Sequence, residues 1–286
     1  MKTFNSPGGA AKWCEEQRGY GLSIGLVPTM GALHAGHLQL VKTAAAQNDM
    51  CIASIFVNPL QFNARDDFSA YPRDMQHDHE LLQQAGCAMV FSGELSDFFP
   101  GSQGMDDIEL LDPGPFAEGL EGEHRPGHFA GVRTIVDRLF EFTHPHRAYF
   151  GEKDFQQLLV VRDLARQKGF PEIVPMPTIR EASGLAMSSR NQRLSASERE
   201  QATVIYRALL AAKEAWQAGE RHADNLARTM LNMLEGSGLE VEYAAVRDPL
   251  DWQPVPARQP MQRARGLIAA RLGPVRLIDN LQLHED

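Results

Sequence analysis

Cysteine is scarce in this chain. The three present, Cys14, Cys51 and Cys87, are odd in number and widely spread. They make no CxxC pair and no disulfide framework, which favours a reducing, cytoplasmic setting. Positive charge is also short: 28 Lys and Arg stand against 37 Asp and Glu, a net charge of −9. General nucleic-acid binding depends on neutralising phosphates, so an acidic chain is poorly made for it. An anionic substrate would have to be met by locally grouped Arg, Lys and His. No apolar run approaches the roughly 20 residues of a membrane span. The opening MKTFNSPGGAAKWCEEQRG has no apolar centre and carries Glu15 and Glu16, so it does not read as a signal peptide. Internal repeats and low-complexity tracts are missing too. What remains is 286 residues, 43% hydrophobic and 23% charged. That is enough for one large or two modest domains with a sizeable core.

The first half alternates two kinds of segment. GLSIGLVPT, MCIASIFV, CAMVFSG, RAYFG and EIVPMPTI read as buried strands. Between them, HLQLVKTAAAQN, DMQHDHELLQQAG, GVRTIVDRLFEF and DFQQLLVVRDLARQKG read as helices, the first with Leu38, Val41 and Ala45 on one face. This alternation predicts an α/β fold, a Rossmann-like parallel sheet flanked by helices. Such sheets bind ligands beyond the C-terminal ends of their strands, near the topological switch point. After Ile179 the pattern changes. SASEREQATVIYRALLAAKEAWQAGE opens on a capping-box spacing, Ser195 to Glu198, and ADNLARTMLNMLEGSG follows as a second helix. LEVEYAAVRD and RGLIAARLGPVRLIDN then look like antiparallel strands, separated by the loop PLDWQPVPARQP. The expected domains are 1–178 and a smaller α+β C-terminal domain, 179–286.

Chemistry gathers first in VPTMGALHAGH, where a strand turns into a helix. A helix N-terminus offers unpaired N–H groups and the positive end of the helix dipole. Gly31 and Gly36 remove bulk so that a phosphate can reach the backbone. His34 and His37 add directional donors, and either can be cationic near neutral pH. Two other readings compete. HxxH can hold a metal, though no Cys, Asp or Glu lies near enough to complete a local set, and histidines also cap helices for structural reasons. A second strand-to-helix turn, Gly151-Glu152-Lys153-Asp154, is aimed at the same sheet edge. Lys153 supplies a mobile point charge for phosphate; Asp154 caps the helix or contacts a ribose or a magnesium ion. Read alone, this turn is an exposed charged loop. In HDHE, His77 and His79 point to different helix faces and cannot share an ion, so the stretch reads as a solvated surface. Asp66 and Asp67 fall in a polar loop after VNPLQF and either help hold magnesium or are simply exposed.

MGALHAGH resembles the HxGH signature of the nucleotidyltransferase superfamily, which includes class I aminoacyl-tRNA synthetases. With SIFVNPLQF, YPRD, RPGHFAGV, FGEKDFQQ and MSSRN following in order, the chain closely resembles the pantothenate synthetase (pantoate–beta-alanine ligase) family. The likeness covers nearly the whole chain, is strong through Asn191 and is less distinctive afterwards, where RLIDN still fits. It implies ATP-dependent condensation of pantoate with beta-alanine through a pantoyl adenylate, releasing pyrophosphate and then AMP.

The resemblance also assigns residues. Met30, Gly31, Ala32, Leu33, His34, Ala35, Gly36 and His37 contact ATP, with His37 as proton donor or transition-state stabiliser and His34 beside it on the phosphates. Gly151, Glu152, Lys153 and Asp154 join them, as do Ile179 at the adenine region and Met187, Ser188, Ser189 and Arg190. The last four resemble the second superfamily signature, usually KMSKS, but with Arg190 as the basic residue and no preceding lysine; a Ser-rich hinge is the competing reading. Gln61 and Gln157 are the pantoate contacts, Gln61 also near beta-alanine. Arg125 to Phe129 either lines the pantoate pocket or simply makes a turn. No resident metal ligands are assigned; magnesium is expected to travel with ATP. The C-terminal domain is expected to act as a lid over the adenylate. The family is typically homodimeric, and SIFV or the apolar helix faces are candidate contacts. Two other functions compete: an adenylyltransferase of the same superfamily acting on a phosphorylated acceptor, and a non-catalytic nucleotide-binding module. The first calls for extra basic residues around the acceptor, and the second leaves His37, Lys153 and Arg190 without a joint purpose.

Overall fold

The computed structural model describes residues 1–63, 65–256 and 259–285, with the backbone alone for Arg65 and Asp66. The chain folds as two compact units, Met1–Pro177 and Thr178–Asp286. The first begins with strand β1 (Lys2–Phe4) and helix α1 (Pro7–Gly19), followed by β2 (Ile24–Thr29), α2 (Ala35–Gln47) and β3 (Met50–Ile55). Next come α3 (Arg65–Ser69), α4 (Met75–Gln84), β4 (Met89–Phe91) and the short helices α5 (Leu95–Phe98) and α6 (Glu121–His124). Helix α7 (His128–Thr143), β5 (Arg147–Gly151), α8 (Phe155–Lys168) and β6 (Glu172–Met176) complete it.

The strands form one six-stranded sheet in the order β1-β4-β3-β2-β5-β6, and every pair is parallel. From β2 the chain moves outward through β3 and β4; it then returns to start β5 on the other side. The switch point therefore lies between β2 and β5. The β2–β3 ladder runs the full length of β2, but β2 meets β5 only through Gly25–Leu26 against Arg147–Ala148. Beyond that pairing β2 and β5 form no further ladder, and the space past the C-terminal ends of such a strand pair is where these sheets hold their ligands.

The near-continuous apolar runs reflect burial on both faces. Val27, Cys51, Ala53 and Val90 share a cluster with Leu40, Val41 and Ala44 of α2 and Leu82 of α4. Their alternates, Leu26, Ile52, Met89 and Phe91, are equally buried and face the opposite side. Helix α2 buries Leu40, Val41 and Ala44; Leu38 and Ala45, expected on its core face, are only half-buried at the margin. The helix begins at Ala35, with His34 as its cap, and Val41 is common to the expected and the observed rows. Within SIFV, Ser54, Ile55 and Phe56 are buried inside the unit and Val57 is half-buried.

In the second unit, helices α9 (Ala196–Gln217) and α10 (Ala223–Leu234) pack on an antiparallel sheet of β7 (Glu240–Arg247), β8 (Arg265–Leu272) and β9 (Val275–Gln282). Ser195 caps α9 reciprocally: its backbone N–H donates to Glu198 Oε2 at 2.8 Å, and its Oγ accepts from the Glu198 N–H at 3.3 Å. Among the described residues no helix is long and apolar enough to cross a membrane.

Candidate active site

The turn from β2 into α2 is built around two imidazoles. His34 is the N-cap of α2, and its Nδ1 accepts from the Gly36 N–H at 3.1 Å. His37 reaches back, and its Nδ1 accepts from the His34 N–H at 3.4 Å. With both Nδ1 atoms accepting, each ring carries its proton on Nε2. The rings lie 4.1 Å apart between centroids, inclined by 36°. Burial pushes His34 down to about 4, with a further push from Lys153. Burial also lowers His37 to about 3, and its neighbour His34 adds to the shift. Burial thus removes the cationic form that the sequence left open for either ring near neutral pH. Both are neutral Nε2–H donors, and the positive charge is supplied by Lys153.

The loop before these rings is fixed from below. Asp78 of α4, 2% exposed, accepts from the backbone N–H groups of Ala32 at 2.9 Å and Leu33 at 2.8 Å. Gly31 and Ala32 take positive φ values of 79° and 51°, which turn successive N–H groups to one side, the geometry of an anion nest. A carboxylate of the chain already fills it. A Cβ on Gly31 would come within 2.8 Å of that carboxylate and 3.2 Å of Ile55, so this glycine is needed to seat Asp78. That differs from the expected role of opening the backbone to phosphate. It also corrects the reading of HDHE as a solvated surface: His77 and Glu80 are exposed and His79 is half-buried, but Asp78 is buried. The available signal was a carboxylate one turn before Leu82, on the apolar side of the helix.

The β5 end brings the second turn to the same place. Gly151 leads into a single 3₁₀ turn, Glu152–Asp154, and α8 begins at Phe155. Lys153 and Asp154 both act electrostatically on His34 and His37, which puts this turn beside the ring pair. Lys153 Nζ sits 3.4 Å from Asp154 Oδ1, with its side chain only 20% exposed. Asp154 occupies the cap position of α8 without making a side-chain cap bond, so the capping alternative drops out.

Gln61 closes a short 3₁₀ turn, Pro59–Gln61, after β3. Its Nε2 donates to Met30 Sδ at 3.1 Å, and its Oε1 accepts from Asn58 Nδ2 at 3.1 Å. Asn58, 1% exposed, also donates to the Gly131 carbonyl and accepts from the Leu60 N–H. It went unnoticed in the sequence, although Asn before Pro is a turn-starting pair. Gln157 is half-buried on α8, so it is not the solvent-facing residue its position suggested. Its neighbour Gln156 is the buried one, 3% exposed, and donates to the carbonyls of Phe116, Glu118 and Gly119. Arg125 and His128 both bond the Gln61 carbonyl. Asp67 lies in helix α3, not in a loop, and the side chain of Asp66 is outside the described residues.

In the second unit, the Met187 N–H donates to the Ile179 carbonyl at 3.0 Å, so these expected contacts are adjacent. Ser188 caps the 3₁₀ turn Ser189–Arg193, its Oγ accepting from the Arg190 N–H at 3.2 Å. Ser189 and Asn191 are buried, and Asn191 Nδ2 donates to Glu181 and to the Ala186 carbonyl. These bonds tie the segment at both ends. Among the described residues no three His, Cys, Asp or Glu side chains gather as a metal-holding group.

Comparison with known proteins agrees with this architecture. The family pattern of pantoate-beta-alanine ligase matches residues 2–282. A pantothenate synthetase of Rubrobacter xylanophilus is 46% identical, covering 98% of this chain and 98% of that protein. The crystal structure of pantothenate synthetase from Thermus thermophilus superposes with a TM-score of 0.89 at 41% identity, over 100% of both chains. A pantoate-beta-alanine ligase from Francisella tularensis, complexed with beta-gamma ATP and beta-alanine, matches with a TM-score of 0.78 at 31% identity, over 99% of this chain and 98% of that one. The chain belongs to the pantoate-beta-alanine ligase family. The alternative of an adenylyltransferase for a phosphorylated acceptor is not favoured.

Proposed function

We propose that this chain joins pantoate to beta-alanine at the expense of ATP, and that the crevice between β2 and β5 carries the chemistry. A carboxylate is a poor acyl donor because its oxygen leaves badly. Attack by the pantoate carboxylate on the α-phosphate of ATP expels pyrophosphate and turns that oxygen into part of a good leaving group. The amine of beta-alanine then attacks the acyl carbon, loses a proton, and AMP departs. The first step concentrates negative charge around the α-phosphate, so fixed donors and positive charge dominate over covalent catalysis.

Family membership and the joined turns of the first unit support the following roles. His34 and His37 present neutral Nε2–H donors to phosphate oxygens, His37 nearest the reacting phosphate. Lys153 supplies the mobile cation. Met30 to His37 and Gly151 to Asp154 hold ATP in the first unit. Gln61 and Gln157 bind pantoate. The Gln61 amide donates to a thioether, a weak acceptor, so a substrate oxygen can replace that contact at little cost. An amide holds a carboxylate without the full charge that would blunt its attack.

Magnesium enters with the ATP phosphates. The described residues form no resident cage for it, and no step is assigned to a protein-held ion. The adenylate reacts readily with water and must be kept from it until the amine arrives. As in its family, the chain works as a homodimer in the cytoplasm; light scattering at the mass of one chain would remove the dimer.

The observation that carries the reading is the neighbourhood of two neutral histidines and Lys153 at the sheet's switch point. Its test uses pantoate carrying ¹⁸O in the carboxylate. Adenylation transfers one label to the phosphate of AMP; unlabelled AMP with labelled pantothenate would rule it out.

A further inference from the structure

The segment Arg125–His128 meets the Gln61 turn along its whole length. The Gln61 carbonyl accepts from His128 Nδ1 at 2.9 Å and from Arg125 Nη2 at 3.3 Å. A carbonyl has no proton to give, so the His128 proton sits on Nδ1. Its Nε2 is then an acceptor, and Arg125 Nη1 stands 3.1 Å from it. Arginine, imidazole and carbonyl thus close a small ring of hydrogen bonds in which each donor faces an acceptor. On one flank, Asn63 Nδ2 donates to the Pro126 carbonyl at 2.6 Å. On the other, Asn58 Nδ2 donates to the Gly131 carbonyl at 3.1 Å. A Cβ at Gly131 would lie 2.1 Å from the Leu60 carbonyl oxygen, so only glycine lets the turn seat directly on α7. His128 is 5% exposed, so its imidazole is shielded from water.

The side chain of Gln61 leaves this anchored turn toward Met30 at the ATP loop. The geometry points to Arg125 and His128 as positioning residues for pantoate binding: they grip the Gln61 carbonyl and thereby aim its side-chain amide. This rests on the assignment of Gln61 as a pantoate contact. It replaces the expectation that RPGH lines the pocket itself.

The test is a cycle of Gln61→Ala, His128→Ala and the double variant, with KM for pantoate and for ATP measured separately. His128→Ala is expected to raise KM for pantoate by about 10-fold or more, since a misplacement of about 1 Å can cost 100-fold. KM for ATP is expected to stay within about twofold, and the double variant to be no worse than Gln61→Ala. His128→Asn keeps a donor where Nδ1 stands and is expected to recover much of the loss. Arg125→Ala, at a partly exposed position, carries the same test if His128→Ala does not fold. An unchanged pantoate KM in the folded variant, equal rises for both substrates, or additive effects in the double variant would overturn the proposal. If Gln61→Ala itself leaves the pantoate KM unchanged, the Gln61 assignment is what fails.

Discussion

At the scale of single residues, donors and charge are divided. In the proposed reaction the histidine pair gives direction and Lys153 gives the cation. Removing one well-placed donor of this kind typically costs about 3–4 kcal/mol of barrier, so Lys153→Ala is expected to lower pantoate-dependent pyrophosphate exchange by about 100-fold or more with unfolding unchanged. Near-normal exchange would remove Lys153 from the mechanism. The buried imidazoles also set a pH dependence. His34 is held down to about 4, and His37 and His128 to about 3, chiefly by burial. The unfolded chain takes up protons on these groups below the ordinary value of 6.5, while the folded one does not. Stability they contribute is therefore complete above that value and declines as pH falls toward 4 and 3. Thermal midpoints followed from pH 7.5 to 5 should drop, and should drop less in His128→Asn. The sequence pointed to His34 and His37 but not to their protonation, because that depends on burial and on backbone partners such as Gly36.

At the scale of elements, α4 is a strut for the loop proposed to hold ATP. Asp78→Asn turns one acceptor into a donor facing a backbone N–H. It is expected to cost about 1–3 kcal/mol in denaturant unfolding and to raise KM for ATP more than for pantoate. No change in either quantity would show that the loop holds itself. The strand–helix alternation from Ile24 to Met176 was legible because buried parallel strands and amphipathic helices leave different periods in sequence. β1 and α1 were not read: three residues of strand carry too little pattern, and α1, with Gly8 and Gly9 in its first turn and few buried side chains, has weak amphipathicity. The hold of Asp78 on residues 32 and 33 was illegible for another reason. It joins positions 46 and 45 residues apart through backbone groups, which have no letter in the sequence.

For the whole molecule, the claim is that an activated acid is made and kept until an amine arrives. The order of the parallel strands, and so the switch point between β2 and β5, could not be taken from the sequence, since the turns and helices would look alike in other orders. The capped start of α9 could, because Ser195 and Glu198 state it locally. The most direct test of the whole account is exchange of labelled pyrophosphate into ATP by the intact chain without beta-alanine. Exchange that appears only when pantoate is added is the expected result; exchange indifferent to pantoate, or none with pantoate present, would contradict it.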